Sequence, residues 1–535
     1  MLTACAPVAT QAPTAAPSQP TQASTAVPTK PAPTATAVPP AATVVKATPL
    51  EIYSRLAVPE VGAPPADWFW AKAIKDKLNI DVKVTFVATN EEYIPTLNTR
   101  AGANNLPDLF VLEPGNRSLL INLADQGLIA DWTPLLNSLP NFRKLRATKE
   151  MEIFGSYNGK LFGLGVLPAG PTKRAVVAIR QDWLDKLSLK APKTLDEALE
   201  VMKAFTTKDP DGNGKNDTYG WSGFFDKASV DRPFAGFEMI YAGYGALGTW
   251  KIDGGKLVYI PTSDDRKAAL QFIKKMNDAG VIDPNWITQD GPAFSKAWKS
   301  GMVGYFNSDF CATFCKQGFS EFATANPKSK LVWADAPSGP KGSGSGIFDN
   351  SGPVFVLSQK VIKENRTEAV TKFLEWLATD GYLLTAYGQE NVHYVRDANG
   401  VITATGAPKP FTDKAYQNEV QIRSLAYQGG AEELKQRYFV IADHPNGQKV
   451  NSYDALDFAQ KNPQVEVTQF TLLPPVDKAV QADLVRYITE NELAFVTGKR
   501  DFGTWADYIK GFEKFNLQKY IDTVSQSAKD LGIIK

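Results

Sequence analysis

Apolar and polar residues alternate along Val82–Val87, the period-two spacing of a half-buried strand. Before it, a helix is predicted over Asp67–Leu78 with Asp67 as its cap, and another follows over Glu91–Ala101. Short continuous apolar runs at Leu50–Leu56, Leu106–Val111 and Ala175–Ile179 read as buried strands. Leu195, Ala198, Leu199, Met202 and Phe205 recur at helical spacing. Thr194 stands before them and Glu197 three residues on, which is the capping-box signature. Asp265–Ala279 is amphipathic, with Ala268, Ala269, Phe272, Ile273 and Met276 on one face. Phe294–Lys299 then Gly301–Phe306 reads as helix, tight turn, strand. Gly352–Leu357 is a strand and Lys363–Leu377 a helix. Asn158-Gly159 marks a hairpin turn. This alternation predicts an α/β fold, with parallel sheets covered by helices. Ligands of such sheets bind beyond the C-terminal strand ends. That places Arg55, Asn116 and Arg117 at a cleft.

The pattern breaks down at the N-terminus. Residues 6 to 48 are almost wholly Ala, Pro, Thr, Val, Ser and Gln, a composition that cannot bury enough surface to fold and serves as a tether. Leu2-Thr3-Ala4-Cys5 just before it fits a lipobox, so Cys5 is the expected lipidation site. The charged and apolar regions of a signal peptide do not precede it, and Met1 is read as a truncated start.

Composition narrows the function. The 535 residues carry a formal net charge of +1, against a nucleic-acid binder, which shows a basic face. No apolar run reaches the roughly 18 residues of a bilayer span. Two histidines, His393 and His444, lie far apart, which gives little support to zinc or histidine-based nucleophilic chemistry. Cys311 and Cys315, four apart, are read as either a local disulfide or two buried thiols, with the thiols slightly favoured because a bridge across four helical residues is awkward.

One loop carries metal chemistry. Asp209, Asp211, Asn213 and Asp217 place oxygen side chains at relative positions 1, 3, 5 and 9. Gly214 holds the sharp turn at position 6, and Lys215 offers its backbone carbonyl at position 7. Hard oxygens in this order predict calcium. An EF-hand has a bidentate Glu at position 12, whereas this chain has Gly220. Thr218, or an acid from elsewhere, is left to complete the shell.

Several stretches together resemble the large extracellular solute-binding lipoproteins of bacterial ABC importers, and more narrowly the subgroup that includes alginate-oligosaccharide-binding proteins. They are Arg180-Gln181-Asp182-Trp183-Leu184-Asp185-Lys186-Leu187, then Thr194 and its helix, then the loop from Asp209. Leu106-Pro107-Asp108, Gly127-Leu128-Ile129 and Tyr157-Asn158-Gly159-Lys160 match in the same order, as does Tyr387-Gly388-Gln389-Glu390-Asn391-Val392-His393-Tyr394. The resemblance runs over about residues 50 to 530. It implies two α/β lobes joined by two or three crossing segments, with a ligand cleft between them. It also implies a structural calcium on Asp209, Asp211, Asn213, Lys215 and Asp217, with Thr218 where the subgroup often has Glu.

The lobes are expected to interleave: tether 1–48, first lobe 49–170, second lobe 171–349, first lobe again 350–390, and second lobe 391–535. Sugar sites combine aromatic planes with amides and carboxylates. Trp221, Trp298, Asn307 and Asp309 are therefore ligand candidates beside Asn116 and Arg117, with Trp250 and Trp333 as further platforms. The resemblance adds Glu390, His393 and Tyr394 at the cleft rim. The expected protein is monomeric and lipid-anchored outside the cytoplasm. It binds an oligosaccharide by hinge closure, hands it to a membrane permease and catalyses nothing. The alternatives are a secreted carbohydrate-active enzyme, which needs two facing carboxylates, and a stalked sensor or adhesion ectodomain.

Overall fold

The computed structural model describes residues 46–55, 62–63, 68–87, 90–144, 149–165, 172–397, 402–405, 434–435 and 438–535. Cys5, the tether up to residue 45, Asp67 and the Arg55 side chain lie outside the described residues.

Two sheets organise the chain from Ala47 onward. The first is built from β1 (Thr48–Arg55), β2 (Ile80–Val87), β3 (Leu109–Leu112), β4 (Gly163–Gly165) and, from much later in the chain, β10 (Val354–Leu357). Its order is β2-β1-β3-β10-β4. β1 is parallel to β2 and β3, and β10 runs antiparallel between β3 and β4. The second sheet has β5 (Ala175–Arg180), β6 (Tyr219–Trp221), β7 (Val303–Asp309) and β8 (Leu331–Ala334), in the order β8-β5-β7-β6.

Each sheet is buried on both faces. Alternate residues of β1, β3 and β10 enter two different cores: Ile52, Leu109 and Phe355 one, Tyr53, Phe110 and Val356 the other. In the second sheet Val177, Ile179 and Tyr305 face one core, and Val176, Ala178 and Phe306 face another. This explains why these strands read as continuous apolar runs rather than alternating ones. The expected strand Leu106–Val111 begins later, at Leu109. Asp108 just before it is buried and binds the guanidinium of Arg366 through both carboxylate oxygens, at 2.6 Å each. The helix Leu195–Thr207 carries the expected capping box, with the Glu197 amide donating to Thr194 Oγ1 at 3.2 Å.

The chain crosses between the sheets from Gly165 to Ala175 and from β9 (Ile347–Phe348) to β10. β9 pairs with β11 (Val465–Glu466) in a two-stranded ribbon. The expected return to the second lobe at residue 391 is corrected. Tyr394 and Ile402, on a hairpin after that point, pack in the core that holds Ile52, whereas Leu434 and Tyr438 pack with Phe306. The apolar side chains of the hairpin decide its lobe, and they face the first. No helix among the described residues is long and apolar enough to cross a membrane.

Candidate functional site

The crossing segments fix which sheet edges meet. β4 ends and β10 begins at one edge of the first sheet. In the second sheet β5 begins, and β6, β7 and β8 end, at one edge. Loops at these two edges therefore carry the candidate ligand groups.

Asp309 closes β7 and opens the helix Phe310–Phe314. Its carboxylate accepts the amides of Cys311 at 2.8 Å and Ala312 at 3.2 Å. It also takes both arms of Arg174, Nε at 2.7 Å and Nη2 at 3.1 Å. That pair keeps more than a third of each side chain exposed, at 38% and 36%. The guanidinium lies 5.0 Å from the Phe310 ring centroid. A fixed fork and carboxylate beside an aromatic ring can hydrogen-bond hydroxyls of a polar solute.

Asn307 sits two residues earlier but is buried, and its Nδ2 donates to Ser345 O at 2.8 Å and Val176 O at 3.3 Å. It ties the segment just before β9 to the sheet. Trp221 and Trp298 are corrected: their exposures are 0% and 1%. Trp221 packs edge-on against Tyr305, and Trp298 stacks on Phe306. A stacking platform needs an open ring face, and neither ring has one.

From the first lobe, Asn116 precedes the helix Arg117–Asp125 and makes no side-chain cap bond. Arg117 lines a cavity of ≈ 550 Å³ between that helix and residues of the second lobe, among them Trp250, Phe470, Pro475 and Tyr520. Its Nη2 donates to Ser156 O at 3.1 Å, while its Nε is buried with no hydrogen-bond partner among the described residues. Burial alone pulls its pKa down. Sequence reasoning proposed Trp250 and missed Phe470, Pro475 and Tyr520. These lie more than 200 residues further on, with no local signal to link them.

Glu390, His393 and Tyr394 stand on the first lobe. Tyr394 is buried against Tyr387, and Glu390 pairs with Arg396 at 3.3 Å. His393 Nδ1 accepts the Gln389 amide at 2.9 Å, and burial lowers its pKa. Asn391 takes φ +64°, the left-handed conformation asparagine tolerates best after glycine.

Of the two readings of Cys311 and Cys315, the structure has the disulfide rather than the favoured thiols. The helix stops at Phe314 and Cys315 turns extended, φ −73° and ψ 155°, which brings the two Cα atoms to 4.5 Å. The objection to a bridge inside a helix therefore does not apply.

In the acidic loop, Asp209 takes φ +45° and accepts the amides of Gly212, Asn213 and Gly214. Asn213 Nδ2 stands between two carboxylates, 2.8 Å from Asp211 and 3.0 Å from Asp217. Burial, then the neighbouring Asp209 and Asp217, raises the Asp211 carboxyl. Among the described residues no three acidic, His or Cys side chains close into a metal cage. The donors are nevertheless hard oxygens, and the amide hydrogens occupy the place where positive charge is wanted. That chemistry fits calcium. Thr218 is turned away: it is buried and its hydroxyl donates to Phe205 O at 2.8 Å. Gly220 also has a packing reason. A Cβ there would stand 2.4 Å from Met202 O, so no Glu fits at position 12.

Residues 70–391 match the family described as bacterial extracellular solute-binding protein. A polygalacturonan/rhamnogalacturonan-binding protein of Bacillus subtilis strain 168, YtcQ, is 29% identical over 360 residues, 66% of this chain and 67% of its own length. FusA of Streptococcus pneumoniae, a fructooligosaccharide ABC transporter substrate-binding protein, is 23% identical over 84% of this chain and 85% of its own. Its structure with kestose superimposes with a TM-score of 0.58, 17% identity, over 91% of this chain and 100% of that one. A solute-binding protein of Bifidobacterium longum infantis described as HMO-binding gives a TM-score of 0.62, 18% identity, over 91% and 99%. These likenesses confirm the two-lobed α/β architecture. The chain belongs to the bacterial extracellular solute-binding proteins, a family of binding proteins that work outside the cytoplasm.

Proposed function

We propose that this chain is the carbohydrate-capturing component of an ABC importer, anchored through Cys5 and delivering an oligosaccharide to a membrane permease. The observation that carries the reading is the Arg174–Asp309 pair, more than a third exposed at the sheet edge that the crossing segments turn toward the other lobe. The relatives' names point to carbohydrate. A solute that touches both lobes favours the closed arrangement by its differential contacts, so no turnover step is needed. A calcium ion on Asp209, Asp211, Asn213, Asp217 and the Lys215 carbonyl serves as a structural clasp in this reading. Water, rather than Thr218, fills the remaining positions.

The test is a thermal-shift screen of the whole chain against neutral and acidic oligosaccharides. A ligand at a hundred times its dissociation constant adds about 2.7 kcal/mol of stability. A saccharide-dependent shift without any product supports the reading. Turnover of the saccharide, or shifts from peptides alone, would overturn it.

A further inference from the structure

Asn-Gly pairs stand at 158, 213, 399 and 446, and the pair at 399 lies outside the described residues. An asparagine followed by glycine can lose its side-chain amide without an enzyme, because no Cβ on the next residue hinders the approach of that residue's backbone nitrogen. The nitrogen must be free to attack. Exposure does not separate the three described pairs, since all three asparagines are exposed. Their hydrogen bonds do.

The Gly214 amide donates to Asp209 Oδ2 at 3.1 Å, and Asp211 and Asp217 hold the Asn213 side chain. The Gly447 amide donates to His444 O at 2.9 Å, and Asn446 Oδ1 accepts the Gln448 amide at 2.8 Å. The Gly159 amide has no acceptor among the described residues. Asn158 and Gly159 form the tip of a hairpin that pairs Ser156 with Leu161 and Tyr157 with Lys160. Both take positive φ, +48° and +73°. A Cβ on Gly159 would meet nothing within 4 Å. The tip therefore lacks both a bond that would hold the nitrogen and a neighbour that would block ring closure.

The same hairpin holds a buried side chain of the first lobe. Ser156 O accepts Arg117 Nη2 at 3.1 Å. An acid already stands beside the tip, because hydrogen bonding to Asp125 raises the Tyr157 phenol.

We propose that Asn158-Gly159 is a self-modification site whose product loosens Ser156 from Arg117. The Gly159 nitrogen bonds to Asn158 Cγ, the bond from Cγ to Nδ2 breaks, and the amide nitrogen leaves as ammonia with the Gly159 proton. Water then opens the succinimide to aspartate or isoaspartate, and no other reactant is needed. Aspartate adds like charge near Asp125. Isoaspartate adds a carbon to the main chain, which a two-residue turn between paired strands cannot take up in register. The site does not rest on the carbohydrate reading.

Ageing of the full chain at pH 8 and 37 °C tests it, with a chelator present so that no metal shields Asn213. Peptide mass spectrometry follows amide-to-acid conversion at 158, 213 and 446. In the folded protein Asn158 is expected to convert about tenfold faster than the other two, because each of those must first open a hydrogen bond. In guanidinium chloride the other two should accelerate to its rate, while Asn158 changes little. Conversion of Asn213 or Asn446 as fast as Asn158 in the folded protein overturns the proposal. So does an Asn158 rate that rises in denaturant as steeply as theirs. Hydrogen exchange of the aged protein should quicken in the peptide spanning Ser156–Leu161, and Asn158→Gln aged alongside should keep its protection there. Unchanged exchange in the aged wild type, or an equal gain in Asn158→Gln, would overturn the loosening.

Discussion

Arg266 Nε lies 3.0 Å from the Glu492 carboxylate, and neither side chain has any exposed surface. The pair joins the helix Asp264–Asp278 to the helix Lys478–Val496 across 226 residues of sequence. The other guanidinium nitrogens donate to the carbonyls of Val230, Asp231 and Ala246, so every arm is used. Breaking such a pair leaves a buried charge unpaired, at about 3–5 kcal/mol. Glu492→Gln should therefore cost about that much in a urea melt at neutral pH. Burial pushes the Glu492 carboxyl up even with Arg266 beside it. In Arg266→Met the acid can escape its charge only by taking up a proton. The penalty of that variant should be smallest in acid and grow as pH rises through the raised folded pKa. A penalty that does not change with pH would contradict the pair's burial.

Asp108 behaves in the opposite way. Burial raises its carboxyl, but Arg366, the Glu51 amide and Lys360 together outweigh burial and hold it below the ordinary value. A depressed folded pKa contributes stability above the unfolded value, near 3.9, and loses it as pH falls through the folded one. Asp108→Asn should remove this acid-side loss and lower stability at pH 7. Chemical denaturation of both proteins between pH 7 and pH 3 gives the comparison, and parallel curves would refute it.

The strands and the capped helix at Thr194 were legible because each pattern is local: apolar runs of fixed length, a Thr and a Glu three apart. An interleaving of lobes was expected from the resemblance, with its last switch at residue 390. Beyond it, Tyr394 and Ile402 are apolar in a way either lobe accepts, and only packing decides. The tryptophans misled for a related reason. Trp221 and Trp298 have the chemistry of a sugar platform, yet a large ring is worth most when buried, and nothing in the sequence reports which face stays open. The cavity was half legible: Arg117 and Trp250 drew attention singly, while their juxtaposition depends on a C-terminal segment that returns to the first lobe.

The acidic loop gives a metal test with a clear sign. Asp211 is raised by burial and then by its carboxylate neighbours, and a divalent cation would remove the like-charge part of that cost. Calcium should raise the melting temperature of the wild type, and a chelator should lower it again. Asp211→Ala should abolish the response, and Thr218→Val should keep it because the Thr218 hydroxyl is already committed to Phe205. A response lost in Thr218→Val as completely as in Asp211→Ala would put that hydroxyl in the metal shell, against its observed bond.

The Cys311–Cys315 disulfide closes a short loop directly after Asp309. Closing a loop of about five residues stabilises by ~2 kcal/mol in the chain-entropy account. The Cys311 amide is one of the donors that orient the Asp309 carboxylate toward Arg174. Reduction should therefore act twice: on stability, by about that amount, and on the order of the Asp309 turn. Reductant should lower the melting temperature of the wild type and leave a Cys311→Ser, Cys315→Ser double variant unchanged. If Asp309 contributes to ligand capture, reduction should also weaken saccharide binding, and the double variant should bind like the reduced wild type. Binding indifferent to the bridge, with stability still lost, would assign the disulfide to the fold alone and leave Arg174 as the group that holds Asp309 in place.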